Sequence, residues 1–232
     1  YPAFIVSGLV AVGIIMMVFV VPKLTEVLQE TGQELPMATK LLIGTSQFMA
    51  GYWWLILLIL IGLFFGLRSY GKTRSGGIAF DVFKIKMPIF GNLFKHIYLV
   101  RFTRSMSTLL AGGVSLVESL RVTSDVVGNA VYKDLVDRTV SEVEDGNPVS
   151  NVFSQSTDVP VMVSQMMAVG EQTGHLDRVL ERLTNFYARE IDNMVTNLVS
   201  LIEPLIMVVL GVAVGIMVAA IIMPMYNMAA GF

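Results

Sequence analysis

Three long stretches of the 232-residue chain carry no charged side chain, over residues 1–22, 41–67 and 204–232. An α-helix rises about 1.5 Å per residue, so about 20 apolar residues cross the hydrocarbon layer of a bilayer. A helix also satisfies its own backbone hydrogen bonds in lipid without closing a barrel. The sequence therefore predicts three transmembrane helices, over residues 1–22, 41–67 and 203–224.

The composition indicates the same class of protein. Hydrophobic residues make up 54% of the chain and charged residues 15%, whereas a soluble domain carries about 25% charged residues. The chain has no cysteine, and its two histidines, His96 and His175, are far apart in sequence. These features exclude a disulfide scaffold, a disordered chain and a thiolate metal site, and we predict no metal and no cofactor.

Lysine and arginine near the ends of the predicted helices indicate orientation, because cytoplasmic loops are enriched in them. Residues 23–40 hold two lysines and three glutamates, whereas residues 68–80 hold three basic residues and no acid. We therefore predict a short extracytoplasmic loop at 23–40, a basic cytoplasmic linker at 68–80 and an extracytoplasmic tail at 225–232. The pair Gly76–Gly77 indicates that the linker is flexible.

Residues 81–200 show helical spacing of apolar side chains, which predicts a cytoplasmic domain. Helix breakers recur along it, at Gly112–Gly113, Gly128–Asn129, Gly146–Pro148 and Thr173–Gly174. The last helix starts near Asp177 and meets no breaker before Pro204, so we expect it to run directly into the third span. The predicted fold class is an all-α membrane protein, with three transmembrane helices plus one cytoplasmic antiparallel helical bundle.

Residues 66–73 match the G-x-x-x-x-G-K-[ST] pattern of a phosphate-binding loop. Such a loop joins a buried strand to a helix whose N-terminal amides face the phosphate. Here Gly66 lies inside a predicted membrane helix, and no strand pattern precedes it. We interpret the match as accidental and Lys72 as a cytoplasmic anchor. A membrane nucleotide hydrolase that uses Lys72 is the alternative.

Charge is unevenly distributed along the chain. From Arg68 to Arg104 there are eight basic residues against one acid, a balance of +7, and from Glu118 to Asp192 there are six against thirteen, a balance of −7. The basic candidates for partner contact are Lys84, Lys86, Arg101 and Arg104. A segment of this kind binds anionic lipid headgroups or an acidic protein surface, and both stay open. No fold or aromatic pattern typical of nucleic-acid binding accompanies it.

Two further candidates lie where helices turn or enter the membrane. Glu171 and Gly174 belong to a helix-to-helix turn, which is either a tight corner with Gly174 at positive φ or a surface shaped for a partner. Glu203 precedes Pro204 at the start of the third span. Its carboxylate either lies at the headgroup level beside a proline kink or attracts a cation from a partner helix.

Pairs of glycines four residues apart occur in two predicted spans, Gly62 with Gly66 and Gly211 with Gly215. Small residues at this spacing share one helix face and let another helix approach closely. These glycines are candidates for helix packing and for formation of a homo-oligomer.

Several short motifs follow one another in the second half of the chain. In order they are Arg101-Phe102-Thr103-Arg104, Leu109-Leu110-Ala111-Gly112-Gly113, Val159-Pro160, Gly170-Glu171-Gln172-Thr173-Gly174-His175-Leu176 and Glu203-Pro204. This series resembles the type II secretion system protein F family, the inner-membrane platform proteins of type IV pili and type II secretion. The resemblance covers residues 87–232, and Val159 stands where the family often has phenylalanine.

The resemblance implies a non-enzymatic platform in the bacterial inner membrane. It implies contact with a cytoplasmic hexameric assembly ATPase, with pilin or pseudopilin subunits, with other inner-membrane assembly proteins and with membrane lipids. The family usually has two copies of the helical domain, so we expect a further copy before Tyr1. A transporter or channel subunit is the alternative, which the uncharged centres of the three spans disfavour.

Overall fold

The computed structural model describes residues 2–22 and 37–230, and the secondary structure in these two ranges is entirely helical. The helices in chain order are α1 (Pro2–Ile15), a π-helix (Met16–Val20), α2 (Met37–Lys72), α3 (Arg74–Lys86), α4 (Gly91–Ala111), α5 (Leu116–Val126), α6 (Ala130–Glu144), α7 (Val149–Gln155), α8 (Val161–Thr173) and α9 (Leu176–Ala230). The predicted all-α class is confirmed for this part of the chain.

The chain forms two compact units, residues 1–65 with 197–232, and residues 66–196. In the first unit, the buried hydroxyl of Ser46 in α2 donates a hydrogen bond to the backbone carbonyl of Met17 in the π-helix. A polar group among apolar helices needs such a partner, because leaving it unpaired costs free energy. This bond therefore ties α2 to the π-helix.

Two of the described helices are long and apolar enough to cross a membrane. They are Gly51–Lys72 within α2, with a mean hydropathy of 1.8, and Leu176–Ile216 within α9, with a mean hydropathy of 2.4. No residue of their apolar windows is buried inside the chain, so these side chains are free to face lipid. The first predicted span is helical over residues 2–22.

The second unit is a helical bundle with one hydrophobic core. Short connections join its consecutive helices, and α3 to α8 pack pairwise in sequence order, as neighbours in a bundle do. The core is built from large side chains that are almost completely buried, namely Leu99, Phe102, Met106, Leu120, Tyr132, Val136, Phe153, Met167, Leu180 and Leu183. The last two belong to α9, so the bundle half of this long helix is part of the core.

The predicted helix breaks in the bundle are confirmed by the backbone. One glycine at each break has a positive φ, namely Gly113, Gly128, Gly146 and Gly174, a conformation that ends helices and is unstrained for glycine. At the start of α6, the Asn129 side chain accepts hydrogen bonds from the backbone N–H groups of Val131 and Tyr132. It therefore caps that helix.

The expectation of a flexible linker at residues 68–80 is wrong. Helix α2 continues to Lys72, and α3 starts after a corner at Thr73. The Thr73 hydroxyl donates to the carbonyl of Tyr70 at 2.7 Å and accepts from the N–H of Gly76 at 3.1 Å. A Cβ at Gly76 would lie 2.0 Å from the Tyr70 carbonyl oxygen. Gly76 therefore permits close packing of two helix ends, where the sequence suggested a mobile chain.

Other predicted boundaries shift by a few residues. Residues 23–36 of the predicted loop lie outside the described residues, and residues 37–40 already belong to α2. The predicted tail at 225–232 is helical as far as Ala230. The expected continuity of the last helix is confirmed, because α9 passes through Pro204 as one helix.

Candidate functional site

The four basic candidates have different surroundings, and Lys84 is engaged within the bundle. Its Nζ lies 2.9 Å from Oδ1 of Asp81, and this hydrogen bond raises the pKa of Lys84. The other carboxylate oxygen of Asp81 accepts a hydrogen bond from the backbone N–H of Ala130 at 2.9 Å. Lys84 therefore holds a carboxylate that caps the start of α6, and its charge is partly compensated.

Lys86, Arg101 and Arg104 are exposed. Within the described residues, no carboxylate lies within ion-pairing distance of these three side chains. Arg101 and Arg104 are three residues apart on α4, so they share one face of that helix. The guanidinium carbon of Arg101 lies 5.9 Å from the centroid of the Tyr98 ring, a cation–π distance. The pair Arg101 and Arg104 forms an uncompensated basic surface.

The carboxylate of Glu171 supports the start of α7. It accepts hydrogen bonds from the backbone N–H groups of Val149 and Ser150, the latter at 3.1 Å. Pro148, the residue before α7, provides no side-chain cap. The first N–H groups of a helix lack partners within that helix and attract negative charge. Glu171 therefore supplies from α8 the acceptors that α7 lacks.

The two glycines beside Glu171 have separate structural roles. Gly174 ends α8 with φ 71°, and the N–H of His175 donates to the carbonyl of Gly170 at 2.9 Å. Gly170 is buried, and a Cβ there would lie 3.1 Å from Cα of Leu176 and 3.2 Å from Cβ of Val179. The corner is thus a close approach of α8 and α9, which accounts for Glu171 and Gly174 without requiring a partner.

A groove of about 580 Å³ lies beside this corner. Its lining includes Leu110, Leu116, Val143, Pro148, Glu171 and Gly174. The structure therefore brings two predicted site residues, Glu171 and Gly174, to the same concave surface. Because the Glu171 carboxylate is already bonded to α7, the groove offers mainly apolar side chains and backbone to anything that enters it.

The glycine pairs of the apolar helices face open space. A Cβ built at Gly62, Gly66, Gly211 or Gly215 meets no atom within 4 Å outside the local helix backbone. Glu203 is exposed on α9. These surfaces are accessible to another helix, so the packing role predicted for the glycines stays a prediction.

The residues of the phosphate-loop pattern have no phosphate-loop geometry. Residues 66–72 belong to α2, so their backbone N–H groups serve the helix ladder. The Thr73 hydroxyl bonds Tyr70 and Gly76. Phosphate binding needs free amides at the start of a helix that follows a strand. This geometry supports the interpretation of the match as accidental.

Several polar contacts that organise the bundle were not indicated by the sequence patterns. Asp81 appeared only as the single acid of a basic segment, yet it caps α6 from α3. The buried hydroxyl of Thr184 in α9 donates to the hydroxyl of Thr103 in α4 at 2.7 Å. Such contacts join residues far apart in sequence, so spacing rules do not reveal them; a lone acid in a basic segment was the one available signal.

His96 in α4 is half-buried, with its ring 4.9 Å from the ring of Tyr187. Burial lowers the pKa of His96 below its ordinary value, and the charge of Glu190 opposes this effect. Its Nδ1 atom is buried and finds no hydrogen-bond partner among the described residues. The folded bundle therefore favours the neutral imidazole.

The bundle should lose stability as the pH falls below about 6.5, the ordinary pKa of histidine. In that range the unfolded chain binds the His96 proton more readily than the folded bundle, so the free energy of unfolding declines. His96→Phe should reduce the difference in Tm between about pH 7.5 and pH 5.5, measured by circular dichroism in nanodiscs. His175→Gln, at an exposed side chain, should keep that difference; equal pH dependence in His96→Phe and the native chain would contradict the assignment.

Fold and site together define a helical-bundle protein with membrane-length apolar helices, whose buried polar groups hold helices to each other. Residues 102–224 match the protein family described as "Type II secretion system (T2SS), protein F". The chain belongs to this family.

Curated relatives align over nearly the whole chain. The Type IV pilus assembly protein PilC of Thermus thermophilus is 36% identical over 98% of this chain and 56% of the relative. PilC of Pseudomonas aeruginosa is 33% identical over 98% and 61%, and the Type II secretion system protein F of Aeromonas hydrophila is 31% identical over 98% and 59%. The chain thus spans a little over half the length of the relatives it matches.

Proposed function

We propose that the chain is part of a non-enzymatic platform in the bacterial inner membrane that assembles a type IV pilus or a type II secretion pseudopilus. The observation that carries this proposal is the alignment of 98% of the chain with a type IV pilus assembly protein at 36% identity. The candidate membrane helices and the polar contacts used for packing support a scaffold role.

Three membrane spans fit this proposal, at residues 1–22, 41–67 and 203–224, with the bundle in the cytoplasm and the last span ending outside. Gly62 with Gly66 and Gly211 with Gly215 would pack against pilin-like helices or a second copy, because small residues permit close helix contact. Glu203 would lie near the headgroups, where it is available to a basic residue of a neighbouring helix.

In this proposal the motor is a cytoplasmic hexameric assembly ATPase. Helix α9 is continuous from Leu176 to Ala230 and contributes Leu180 and Leu183 to the bundle core. A helix carries force along its axis through its backbone hydrogen bonds. We infer that movement imposed on the bundle by the ATPase passes along α9 to the filament subunits.

The arginine surface on α4 provides the test of ATPase contact. Reversing both charges, Arg101→Glu with Arg104→Glu, should weaken co-purification of the cognate ATPase by about tenfold or more, since charge reversal replaces attraction by repulsion. Filament assembly in a strain that carries only this variant should fall with it. The bundle should melt at the native temperature, because both side chains are exposed.

A matched control is Arg138→Glu, at an exposed arginine on α6 that pairs with Asp134 one helical turn away. Exposed pairs of this kind contribute about 1 kcal/mol or less, so stability and ATPase binding should both be nearly unchanged. Native ATPase recovery with the double reversal would remove this surface from the contact. Normal filaments or secretion in a strain that lacks the whole gene would overturn the platform function itself.

A further inference from the structure

Helix α3 and the turn that follows it expose large apolar side chains. Ile78 is 47% exposed and Phe83 is 58% exposed, and beyond the helix Ile89 is 66% exposed. At about 100° per residue, Ile78 and Phe83 border an arc of roughly 140°. Val82 and Lys86 lie within that arc. The arc is therefore an apolar surface with one basic side chain in it, and we name it the α3 face.

The charges around the α3 face are positive. Arg74 begins the helix, Lys86 ends it, and both are exposed. Asp81 is the only acid in the sequence of α3. Its carboxylate points away from solvent into the contact with Ala130 and Lys84. Around the apolar arc the uncompensated charge is thus entirely basic, which favours an anionic surface as the occupant.

Two glycines fix α3 at both ends. At its start, a Cβ on Gly76 would lie 2.0 Å from the Tyr70 carbonyl oxygen, and after its end, a Cβ on Gly91 would lie 2.6 Å from the Ile85 carbonyl oxygen. The ring of Phe80 also packs on that of Tyr70, with centroids 6.2 Å apart. The α3 face is therefore held in one orientation relative to the end of α2.

The chain position of α3 indicates what covers its face. The candidate membrane span in α2 ends at Lys72, and α3 begins at Arg74. A helix that starts two residues after a span, with apolar and basic side chains on one side, has the features of helices that lie in the bilayer interface. Apolar side chains then enter the acyl boundary while lysine reaches the headgroups.

We propose that the α3 face lies in the headgroup region of an anionic bilayer, with Ile78 and Phe83 among the acyl chains and Lys86 at the phosphates. Helix α3 is then a membrane-surface anchor that sets the bundle against the bilayer. Lys84 takes no part in lipid binding, because its ammonium group is bonded to Asp81.

Site-directed spin labelling of the full chain tests this proposal, and the absence of native cysteine makes single labels unambiguous. Ile78→Cys and Phe83→Cys report on the α3 face. Val161→Cys is the matched control, at a valine of α8 that is 70% exposed. Each labelled chain is placed in bilayers of phosphatidylcholine and phosphatidylglycerol at low protein density. Power saturation then measures collisions of the label with oxygen and with a water-soluble nickel chelate.

Labels at 78 and 83 should collide several-fold less with nickel and several-fold more with oxygen than the label at 161. Adding Arg74→Glu with Lys86→Glu should bring both labels back toward water. Nickel access at 78 and 83 equal to that at 161 would overturn the proposal. Exclusion of both reagents would also overturn it, because it would mean that protein covers the face. Circular dichroism melts of each variant establish that the bundle is folded.

Discussion

Gly76→Ala should destabilise the bundle by about 3 kcal/mol or more, the range of substitutions that force backbone to move. The added methyl group would lie 2.0 Å from the carbonyl oxygen of Tyr70 and 2.7 Å from the hydroxyl of Thr73. Since the nearest atom is backbone, no side-chain rotation relieves the clash. The start of α3 must shift, which breaks the Thr73 cap and pulls Asp81 from the start of α6.

The measurement is thermal unfolding of the full chain in nanodiscs, followed by circular dichroism, with hydrogen exchange across residues 74–86. Ser75→Ala is the neighbouring control, because Ser75 is exposed in the same turn, and its Tm should stay within about 2 °C of the native value. Native Tm and native exchange protection in Gly76→Ala would mean that the corner is loose, as the glycine pair first suggested.

Glu171→Ala should lower the Tm of the bundle by about 10 °C, which corresponds to roughly 2–3 kcal/mol for a domain of this size. The substitution leaves the buried N–H groups of Val149 and Ser150 without their carboxylate acceptor. Unpaired buried donors cost about 1–3 kcal/mol each, and more where the lost partner was charged. Filament assembly should fail in proportion to the loss of folded protein.

Glu171→Gln separates the structural role from a partner role. The amide keeps one oxygen acceptor of similar shape, so about half of the lost stability should return. If Glu171 contacts a partner through its charge, Glu171→Gln should instead abolish assembly at native Tm. A native Tm for Glu171→Ala would show that other groups hold α7, and the cap assigned to Glu171 would then be wrong.

Local features of the bundle are predictable from the sequence, because glycine at positive φ and polar caps act over a few residues. Breaks at Gly113, Gly128, Gly146 and Gly174 follow this rule. The uncharged stretches predict apolar helices for the same reason, since length and composition are properties of one segment.

Contacts between distant segments are not predictable in this way. Gly76 beside Gly77 has the composition of a flexible linker, and only the position of the Tyr70 carbonyl reveals a packed corner. Glu171 was identified by its place in a turn, yet its bonding partners lie more than 20 residues away, at Val149 and Ser150. Spacing identified the right residues at this corner, whereas the role required the fold.

The dependence of α7 on Glu171 has a consequence for how the bundle folds. With seven residues, α7 is far shorter than the roughly 12–15 residues that an isolated helix needs in water. Its initial turn is completed by a side chain that is synthesised later, on α8. During translation α7 should therefore stay unstructured until α8 has emerged from the ribosome, and the two should form as one cooperative unit.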